Sequence, residues 1–551
     1  MTQRKQDGER TNDSLMNADE NDGTGDISIG YQETARLALS HSSVGSSDDA
    51  IGSDDNDGTD YNVITMDDAI ERLGMGTFQL RVLAAAGLCF AADAMQVLLL
   101  SFLSQVLQID WNLSDAETAS ITSCLFGGAM VGTMVLGPYA DVRGRRPAFF
   151  VASITITSFG IGVAFVQNYV SLLIMYTMVG FGVGGLTVPF DILAELLPAA
   201  SRGKNLLLIE YFWTAGVLLV VLFAYLTLGS EHGDNWRLLV ALSAIPCMVS
   251  VLFGYLFVPE SPRWLATQGR STEAMDILRN AAIINGHADP QELFPLDMQI
   301  EEEEEESSHF ADLFKPKWLT TILYLWGTWG FFAFGYYGTI LAITAIFASD
   351  SNSENGDDDI PDVAEFDYGA IFVSNSAEFI GTTIAILLVD RAGRIPLQIA
   401  SYLLAGIGVC MLCVLADRGY SRDVLIGFGF LARIFEMSGS CVTWVSTAEI
   451  LTTEVRTTGH SSANAIARIG ALISPFVVED SISLVKLGMV MLVVHTATAI
   501  FVSQLPETAG GRMGGGVVDS NDVAVSTPDE MSASEEDTAA GSVTASMPEF
   551  T

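Results

Sequence analysis

One charged motif occurs twice in this chain, first as Gly137-Pro-Tyr-Ala-Asp141-Val-Arg-Gly-Arg145 and again, shortened, as Asp390-Arg-Ala-Gly-Arg394. Two further motifs repeat in the same order, namely Ala194-Glu195 followed by Arg202 against Ala448-Glu449 followed by Arg456, and Pro259-Glu260 against Pro506-Glu507. The copies lie 249, 254 and 247 residues apart. This near-constant separation indicates two halves of similar length and design, which is how many secondary transporters are built.

Long apolar runs predict that the chain crosses a membrane many times. Each run is long enough to span about 30 Å of hydrocarbon and is apolar on all faces, whereas the helices of a soluble bundle are amphipathic. The runs form two sets of six, separated by a long polar interval. Their approximate bounds are 80–104, 118–140, 147–166, 170–197, 205–229 and 237–258, then 319–347, 368–389, 396–416, 424–447, 461–478 and 486–505.

Basic residues set the expected orientation, because Lys and Arg near helix ends tend to remain on the cytoplasmic side. With the N-terminus inside, the inner loops carry thirteen Lys or Arg residues and the outer loops carry four. Both termini are therefore expected in the cytoplasm. The chain divides into a disordered acidic cytoplasmic tail at 1–77, a first six-helix unit at 78–258, a cytoplasmic central loop with short helices and an acidic run at 259–317, a second six-helix unit at 318–505 and a disordered cytoplasmic tail at 506–551.

The composition argues against several classes of function. The net charge of −40 lies mostly in the tails and loops, and its sign argues against nucleic acid as a partner. The six cysteines lie in apolar runs, where thiols act as small hydrophobes, and no GxxxxGK phosphate loop occurs. We expect no metal site, no cofactor and no enzymatic activity, so that transport would be driven by an ion gradient.

Several segments resemble the major facilitator superfamily, in particular its branch of synaptic-vesicle-protein-related and organic-ion transporters, with the sugar porters nearby. Besides the doubled motif they are Ala91-Ala-Asp93-Ala-Met-Gln, Leu207-Leu-Ile-Glu210-Tyr-Phe-Trp213, Pro259-Glu-Ser-Pro-Arg-Trp-Leu265, Ala377-Glu378-Phe and Ala467-Arg468-Ile-Gly-Ala-Leu-Ile-Ser-Pro475. The resemblance covers residues 78–508. It implies an all-α integral membrane protein with twelve transmembrane helices in two pseudo-symmetric six-helix bundles, alternating access, and a substrate site between the bundles.

The chain departs from the family pattern in three places. Val142 stands where the family commonly has Arg, Ile386 replaces the leading Gly of the second motif, and Tyr176 replaces an Arg that is often found in the fourth helix. Substrates that rely on that Arg, such as some anions, are less expected.

The resemblance also implies two charge clusters at the cytoplasmic helix ends. The first would contain Asp141, Arg145, Glu195 and Arg202, and the second Asp390, Arg394, Glu449 and Arg456. Partly desolvated carboxylate–guanidinium pairs hold helix ends in one arrangement and must rearrange when the halves move. We interpret the two clusters as a conformational latch; the alternative is a static, positively charged loop.

Ionisable residues within the predicted membrane helices are candidates for the proton or substrate path, because such residues are costly in hydrocarbon and usually functional there. Asp93 resembles the acidic position that sugar porters use for proton coupling. The alternative is a set of internal ion pairs that only fix the helix register, as Arg433 and Glu436 would at i and i+3. The candidates are Asp93, Glu210, Glu378, Arg433, Glu436 and Arg468.

Aromatic residues near these charges are candidates for the cavity wall: Trp213, Tyr336, Tyr337 and Trp444. An aromatic, acid-lined cavity suits a cationic or amphipathic organic solute. Aromatic residues also form ordinary packing contacts and interfacial belts, and these roles are the alternative for each of the four.

The expected function is secondary active transport of a small organic solute, either an organic ion or a sugar-like molecule, by alternating access with proton coupling. The expected partners are the substrate, protons or another coupling ion, and the lipid bilayer. We expect a monomer in the plasma membrane or an intracellular vesicle membrane. The alternative is a non-transporting vesicle-membrane or nutrient-sensing protein on the same fold.

Overall fold

The structure is a computed structural model that describes residues 63–198, 202–228, 235–301, 310–348, 366–451, 453–478 and 483–508. Both predicted tails, up to residue 62 and from residue 509, lie outside the described residues. So do residues 302–306 of the acidic run and the side chain of Arg456. All described residues belong to one compact unit.

Within these ranges, twelve helices are long and apolar enough to span a membrane, as the apolar runs predict. Many are longer than the runs, because polar first and last turns extend them beyond the apolar segment. Helix 4 is interrupted by a tight turn at Gly184–Leu186. Numbered from helix 1 to helix 12, they are Thr77–Asp110, Asp115–Arg143, Arg145–Val163, Tyr169–Glu195, Arg202–Leu228, Trp236–Phe257, Pro316–Ile346, Tyr368–Ala392, Arg394–Asp417, Arg422–Ile450, Thr453–Val478 and Leu484–Val502.

The helices form two pseudo-symmetric bundles of six. In the first half, helix 1 packs on helix 5, helix 2 on helix 4 and helix 3 on helix 6; in the second half, the equivalent pairs are helices 7 and 11, 8 and 10, and 9 and 12. Between the halves, helix 2 packs on helix 11 and helix 5 packs on helix 8. Helices 2 and 5 of the first half correspond to helices 8 and 11 of the second, so the pseudo-two-fold axis that relates the halves interchanges these two contacts. The internal repeat of the sequence is therefore also a repeat of the packing.

Glycines allow the paired helices within each half to touch backbone to backbone. A Cβ atom added at Gly128 of helix 2 would collide with the carbonyl of Thr177 in helix 4, and one added at Gly180 would collide with the carbonyl of Leu125. Small residues serve the same purpose in other membrane helix pairs. The glycine-rich stretch of helix 4 is therefore a packing surface.

Residues 63–73, within the segment predicted to be a disordered tail, form two small elements before helix 1. Among the described residues of the central loop, the short helices are Pro262–Thr267, Ser271–Ile284, Pro290–Leu293 and Phe310–Phe314. Strand β1 (Val63–Ile64) pairs in parallel with strand β2 (Gln299–Ile300). The N-terminal amphipathic helix, Met66–Leu73, follows and is capped by Thr65, whose side chain accepts a hydrogen bond from the Asp68 N–H at 3.2 Å. The apolar face of this helix is buried, so the ordered part of the chain begins before the first apolar run. A helical pattern of only eight residues is easily missed inside a polar segment.

Candidate functional site

A cavity of about 50 Å³ lies between the two bundles, near the middle of the membrane helices. Helices 1 and 5 of the first half contribute Asp93 and Glu210 to its wall, and helix 11 of the second half contributes Arg468. These are three of the six ionisable residues predicted for the proton or substrate path. The interruption of helix 5 at residues 207–208 places Glu210 in the first turn of the continuing helix Ile209–Leu228.

Several polar atoms in the cavity wall are buried without a hydrogen-bond partner among the described residues. They are Oδ1 of Asp93, Nε of Arg468 and Nδ2 of Asn464. Leaving such a group unsatisfied costs about 1–3 kcal/mol, and more for a charged group. Arg468 acts electrostatically on Asp93, and its Nη1 lies 3.5 Å from the hydroxyl of Tyr337. The wall therefore offers both donors and acceptors to water, a proton or a polar ligand.

The charges of the cavity wall do not balance. Among the described lining residues, two carboxylates, Asp93 and Glu210, face one guanidinium, that of Arg468. With both carboxylates ionised the wall carries one excess negative charge. A proton or a monovalent organic cation would neutralise it.

All four predicted aromatic residues, Trp213, Tyr336, Tyr337 and Trp444, line the cavity. They also join the two halves. The indole Nε1 of Trp213 donates a hydrogen bond of 2.7 Å to the hydroxyl of Tyr336, and the rings of Phe126 and Tyr337 lie 4.6 Å apart. The cavity wall and the contact between the halves are thus made by the same side chains.

The cavity is too small for an organic solute in this arrangement. One buried water needs about 10–15 Å³ on the same measure, so about 50 Å³ holds a few waters. At the end opposite the charged motifs, the hydroxyl oxygens of Ser101 and Thr344 are 3.1 Å apart, and Ser123 donates a 2.9 Å bond to the Leu472 carbonyl. A larger solute can enter only when the two halves separate.

The other three predicted path residues lie outside the cavity wall, in a buried network behind Tyr336. Arg433 forms an ion pair with Glu378, and its Nη1 lies 3.4 Å from Oε2 of Glu436. The hydroxyl of Tyr336 donates to Glu378 at 3.1 Å. His495 of helix 12 completes the network, with Nε2 at 3.1 Å from Oε1 of Glu436. His495 is not among the residues predicted from the sequence, because a single histidine in an apolar run carries no motif.

At the end that carries the charged motifs, hereafter the motif end, three of the four predicted members of the first cluster contact one another, and the fourth, Arg202, pairs with Asp67 instead. Arg145 pairs with Asp141, and its Nε lies 3.4 Å from Oε1 of Glu195. Glu260, from the repeated Pro-Glu motif, accepts hydrogen bonds from the backbone N–H groups of Arg145 at 2.8 Å and Arg146 at 3.1 Å. Glu260 therefore caps the start of helix 3, a role that the sequence pattern did not reveal.

The second cluster repeats this arrangement. Arg394 pairs with Asp390 at 3.1 Å and makes a bidentate contact with Glu449, at 2.9 and 3.0 Å. Glu507 accepts from the backbone N–H groups of Arg394 and Ile395, each at 2.9 Å, and so caps helix 9. The three repeated motifs meet in space once in each half.

Two further ion pairs tie these clusters to their surroundings. Lys204 of the first half lies 2.7 Å from Asp390 of the second, which joins the halves at the motif end. Arg202, predicted for the latch, lies beside Asp67 of the N-terminal amphipathic helix at 3.3 Å. Partial burial opposes ionisation of Asp67, but the guanidinium groups of Arg263 and Arg202 outweigh it and hold the pKa of this carboxyl below its ordinary value. The amphipathic helix is therefore anchored by ion pairs at neutral pH.

Comparison with known proteins agrees with this architecture. The profile of the sugar (and other) transporter family matches residues 66–513. A synaptic vesicle 2-related protein of Xenopus laevis is 32% identical over 75% of each chain. Organic cation/carnitine transporter 7 of Arabidopsis thaliana is 30% identical over 75% of this chain and 87% of its own. The solved structure of the partially occluded, inward-open xylose transporter XylE from E. coli superposes with a TM-score of 0.62 at 22% identity, covering 79% of this chain and 99% of its own.

Proposed function

Because the chain belongs to the sugar (and other) transporter family, in the synaptic-vesicle-2-related branch of the major facilitator superfamily, we propose that it exchanges small organic cations for protons by alternating access. The family consists of multi-pass membrane transporters and not of enzymes. The excess negative charge of the cavity wall, from Asp93 and Glu210 against Arg468, carries this proposal.

The chemistry of the wall supports a cationic substrate over a sugar. The wall presents the aromatic faces of Trp213, Tyr336, Tyr337 and Trp444. Such faces attract an organic cation more strongly than they attract the hydroxyl groups of a sugar. The similarity to an organic cation/carnitine transporter agrees with this choice. A sugar-like solute is the runner-up, and it would leave the excess carboxylate to bind a proton instead.

Asp93 is the proposed proton carrier. It is 4% exposed, sits near the middle of helix 1, and one of its oxygens is without a partner among the described residues. An ionised carboxylate in such surroundings is unfavourable unless a cation or proton accompanies it. A proton and a cationic substrate would then occupy the same site in turn, which is the condition for exchange.

The two bundles, residues 78–258 and 318–505, would rock as bodies around this cavity, and the charge clusters at the motif end would act as the latch. We expect the protein to work as a monomer, with both termini in the cytoplasm, in the plasma membrane or a vesicle membrane. The Lys and Arg distribution supports this orientation.

Uptake into proteoliposomes tests the proposal, with radiolabelled tetraethylammonium and D-xylose as probes. An acidic vesicle interior should drive tetraethylammonium accumulation, and a protonophore or equal pH on both sides should abolish it. Accumulation of xylose without tetraethylammonium would favour the sugar-like alternative. Folded protein that moves neither probe nor further cations, zwitterions and sugars would favour the non-transporting alternative.

A further inference from the structure

His495 is a buried histidine with a built environment and no place in the proposed cavity chemistry. It is 2% exposed, in the middle of the apolar helix 12. Glycines of two neighbouring helices make room for it: a Cβ atom added at Gly335 would lie 2.9 Å from the imidazole Cε1, and one added at Gly406 would lie 2.7 Å from the His495 Cβ. Helices 7 and 9 are therefore shaped around His495.

The hydrogen bonds of the ring fix where its protons can be. Nδ1 lies 2.7 Å from the backbone carbonyl of Met491, which can only accept, so Nδ1 carries a hydrogen. In a neutral imidazole, Nε2 is then an acceptor. It faces Oε1 of Glu436 at 3.1 Å, and an ionised carboxylate is also only an acceptor. A hydrogen must lie between the two atoms, either on Nε2 or on Glu436.

The charge balance of the buried network independently indicates one additional proton. The cluster contains Glu378, Glu436 and Arg433, each at most 1% exposed. Two ionised carboxylates against one guanidinium would leave a net negative charge in a dry environment, which is strongly unfavourable. One extra proton, on His495 or on a carboxyl, makes the cluster neutral.

We propose that His495 and Glu436 share one proton and form a second proton-binding site, in the second half of the transporter. The use of this proton in transport rests on the proposed function, whereas its presence does not. When it is released, the N–H or O–H bond breaks, the electron pair stays on Nε2 or Oε1, and the proton passes to water.

The site is linked to the cavity by direct contacts. Arg433 joins Glu436 to Glu378, and Tyr336, which lines the cavity, donates its hydroxyl hydrogen to Glu378. From helix 7, Thr339 lies 3.3 Å from Glu436, and from helix 9, Tyr402 directs its hydroxyl to Thr443. Among the described residues, the ionisable groups facing the pair are thus Arg433, Glu378, Tyr336 and Tyr402.

Nitrogen NMR of ¹⁵N-histidine-labelled protein in nanodiscs tests the proposal without any substrate. At neutral pH we expect either a doubly protonated His495 ring or a bare Nε2 together with an infrared band of a protonated carboxyl that disappears in Glu436→Gln. His495→Gln identifies the histidine signal. A bare Nε2 with no such carboxyl band would overturn the proposal.

Thermal unfolding provides a second measurement on variants that keep the packing. The wild type should lose stability by several degrees in Tm as pH rises and the shared proton leaves. Glu436→Gln should show a much smaller fall, because the Gln amide donates to Nε2 without titrating. His287→Gln, which removes an exposed histidine, should behave as the wild type does. Equal pH dependence in the wild type and Glu436→Gln would count against the site.

The two proposals can fail separately. If the shared proton is found but tetraethylammonium uptake ignores the pH gradient, the site remains and the proton-exchange function is wrong. If uptake follows the gradient but His495 and Glu436 hold no proton, only the second site is wrong.

Discussion

Asp93 is the proposed proton carrier because of both its depth in the membrane helices and the direction that its side chain faces. It lies near the middle of a long membrane helix, faces the contact between the halves, and has Arg468 as a charged neighbour. The guanidinium of Arg468 partly offsets the negative charge of Asp93, and Oδ1 of Asp93 remains available to a proton or a ligand.

Replacement of Asp93 by Asn should abolish accumulation driven by the pH gradient, because the amide keeps the size of the carboxyl but cannot exchange a proton at these pH values. Exchange of labelled for unlabelled substrate at equal pH should weaken but persist, because the wall loses its excess negative charge yet keeps Glu210 and its aromatic residues. Both rates are measured in the same proteoliposome preparation. Asp110→Asn, an exposed carboxylate at the end of the same helix, is the matched control and should have no effect.

Full pH-driven accumulation by the Asp93→Asn variant would contradict the assignment. The coupling role would then pass to Glu210, the other carboxylate of the wall, or to the buried network.

At the residue scale, the sequence predicted which ionisable residues are buried, but it did not predict how these residues are grouped. Apolar runs reveal the depth of a charge, and so all six ionisable candidates are indeed buried at the centre. Depth does not tell which way a side chain faces, and so the division into cavity residues and the network of Glu378, Arg433 and Glu436 required the packed helices. His495 gives a signal only when Glu436 is seen opposite it.

Helix starts explain why the Pro-Glu motif and the charged motif repeat together. Gly144 and Gly393 precede helices 3 and 9 with φ values of 104° and 87°, a region that favours glycine. The turn aims the first N–H groups of each helix at Glu260 or Glu507, which come from the end of the same half. The sequence predicted that Glu260 and Glu507 lie at helix ends. The capping partners, however, are more than 110 residues apart in the chain, so the cap leaves no local sequence pattern.

Gly393→Ala should destabilise the protein by about 1–3 kcal/mol, because φ 87° with ψ 158° is a backbone conformation that essentially only glycine adopts. The added Cβ would also approach the Glu507 carboxylate to 2.8 Å. Gly427→Ala is the matched control: Gly427 lies within helix 10 with open space around its Cβ position, so the change should be neutral or slightly stabilising. The measurement is the unfolding midpoint in detergent. Equal midpoints for the two variants would refute the cap geometry.

One contact of the proposed latch, Lys204 with Asp390, joins the two bundles. The side chains are 55% and 43% exposed, so the pair contributes at most about 1 kcal/mol, or about fivefold in the ratio of two states. Asp390→Asn should therefore favour opening at the motif end by up to about that factor. Labelling of a reporter at Ser440→Cys, in the cavity wall, measures the shift.

Asp141→Asn is the matched control, because it removes the equivalent pair within the first half and leaves the Lys204–Asp390 contact in place. Its labelling should shift less. If Asp390→Asn lowers protein abundance without changing the labelling ratio, the charge clusters are static anchors and the latch hypothesis is wrong.

For the whole molecule, the structure shows two similar bundles that touch near both ends of their helices, around a small cavity. Composition and apolar runs predicted the twelve helices and the two halves, since these are properties of local sequence. The pairing of helices 2 with 11 and 5 with 8 is made by contacts between distant parts of the chain, such as Ser123 with Leu472 and Tyr211 with Thr383, so it could not be read from the runs.

The orientation in the membrane is a prediction for the entire chain. An impermeant thiol reagent should label Ser421→Cys, between helices 9 and 10, in intact cells, and should label Thr272→Cys, between helices 6 and 7, only after permeabilisation. Both positions are exposed, whereas five native cysteines are buried and Cys124 is half-buried. This orientation is expected because Lys and Arg are concentrated at the motif end, which should therefore face the cytoplasm. Labelling of Thr272→Cys in intact cells would invert the topology.

The central claim is that solute passes only when the two halves separate, first at one end and then at the other. The hydroxyl oxygens of Ser101 and Thr344 lie 3.1 Å apart across the halves, at the end opposite the motifs. The pair Ser401 and Ser438 lies 3.3 Å apart within the second half and provides the control. Cysteines at either pair can be joined by oxidation, and the single-cysteine variants control for the native thiols.

The decisive measurement is uptake of tetraethylammonium by the Ser101→Cys/Thr344→Cys variant before and after oxidation. We predict that oxidation reduces uptake to the level of empty vesicles, that a reductant restores it, and that the Ser401→Cys/Ser438→Cys variant is active in both states. Undiminished uptake by protein whose Ser101–Thr344 cross-link is verified by mass spectrometry would contradict alternating access around this cavity.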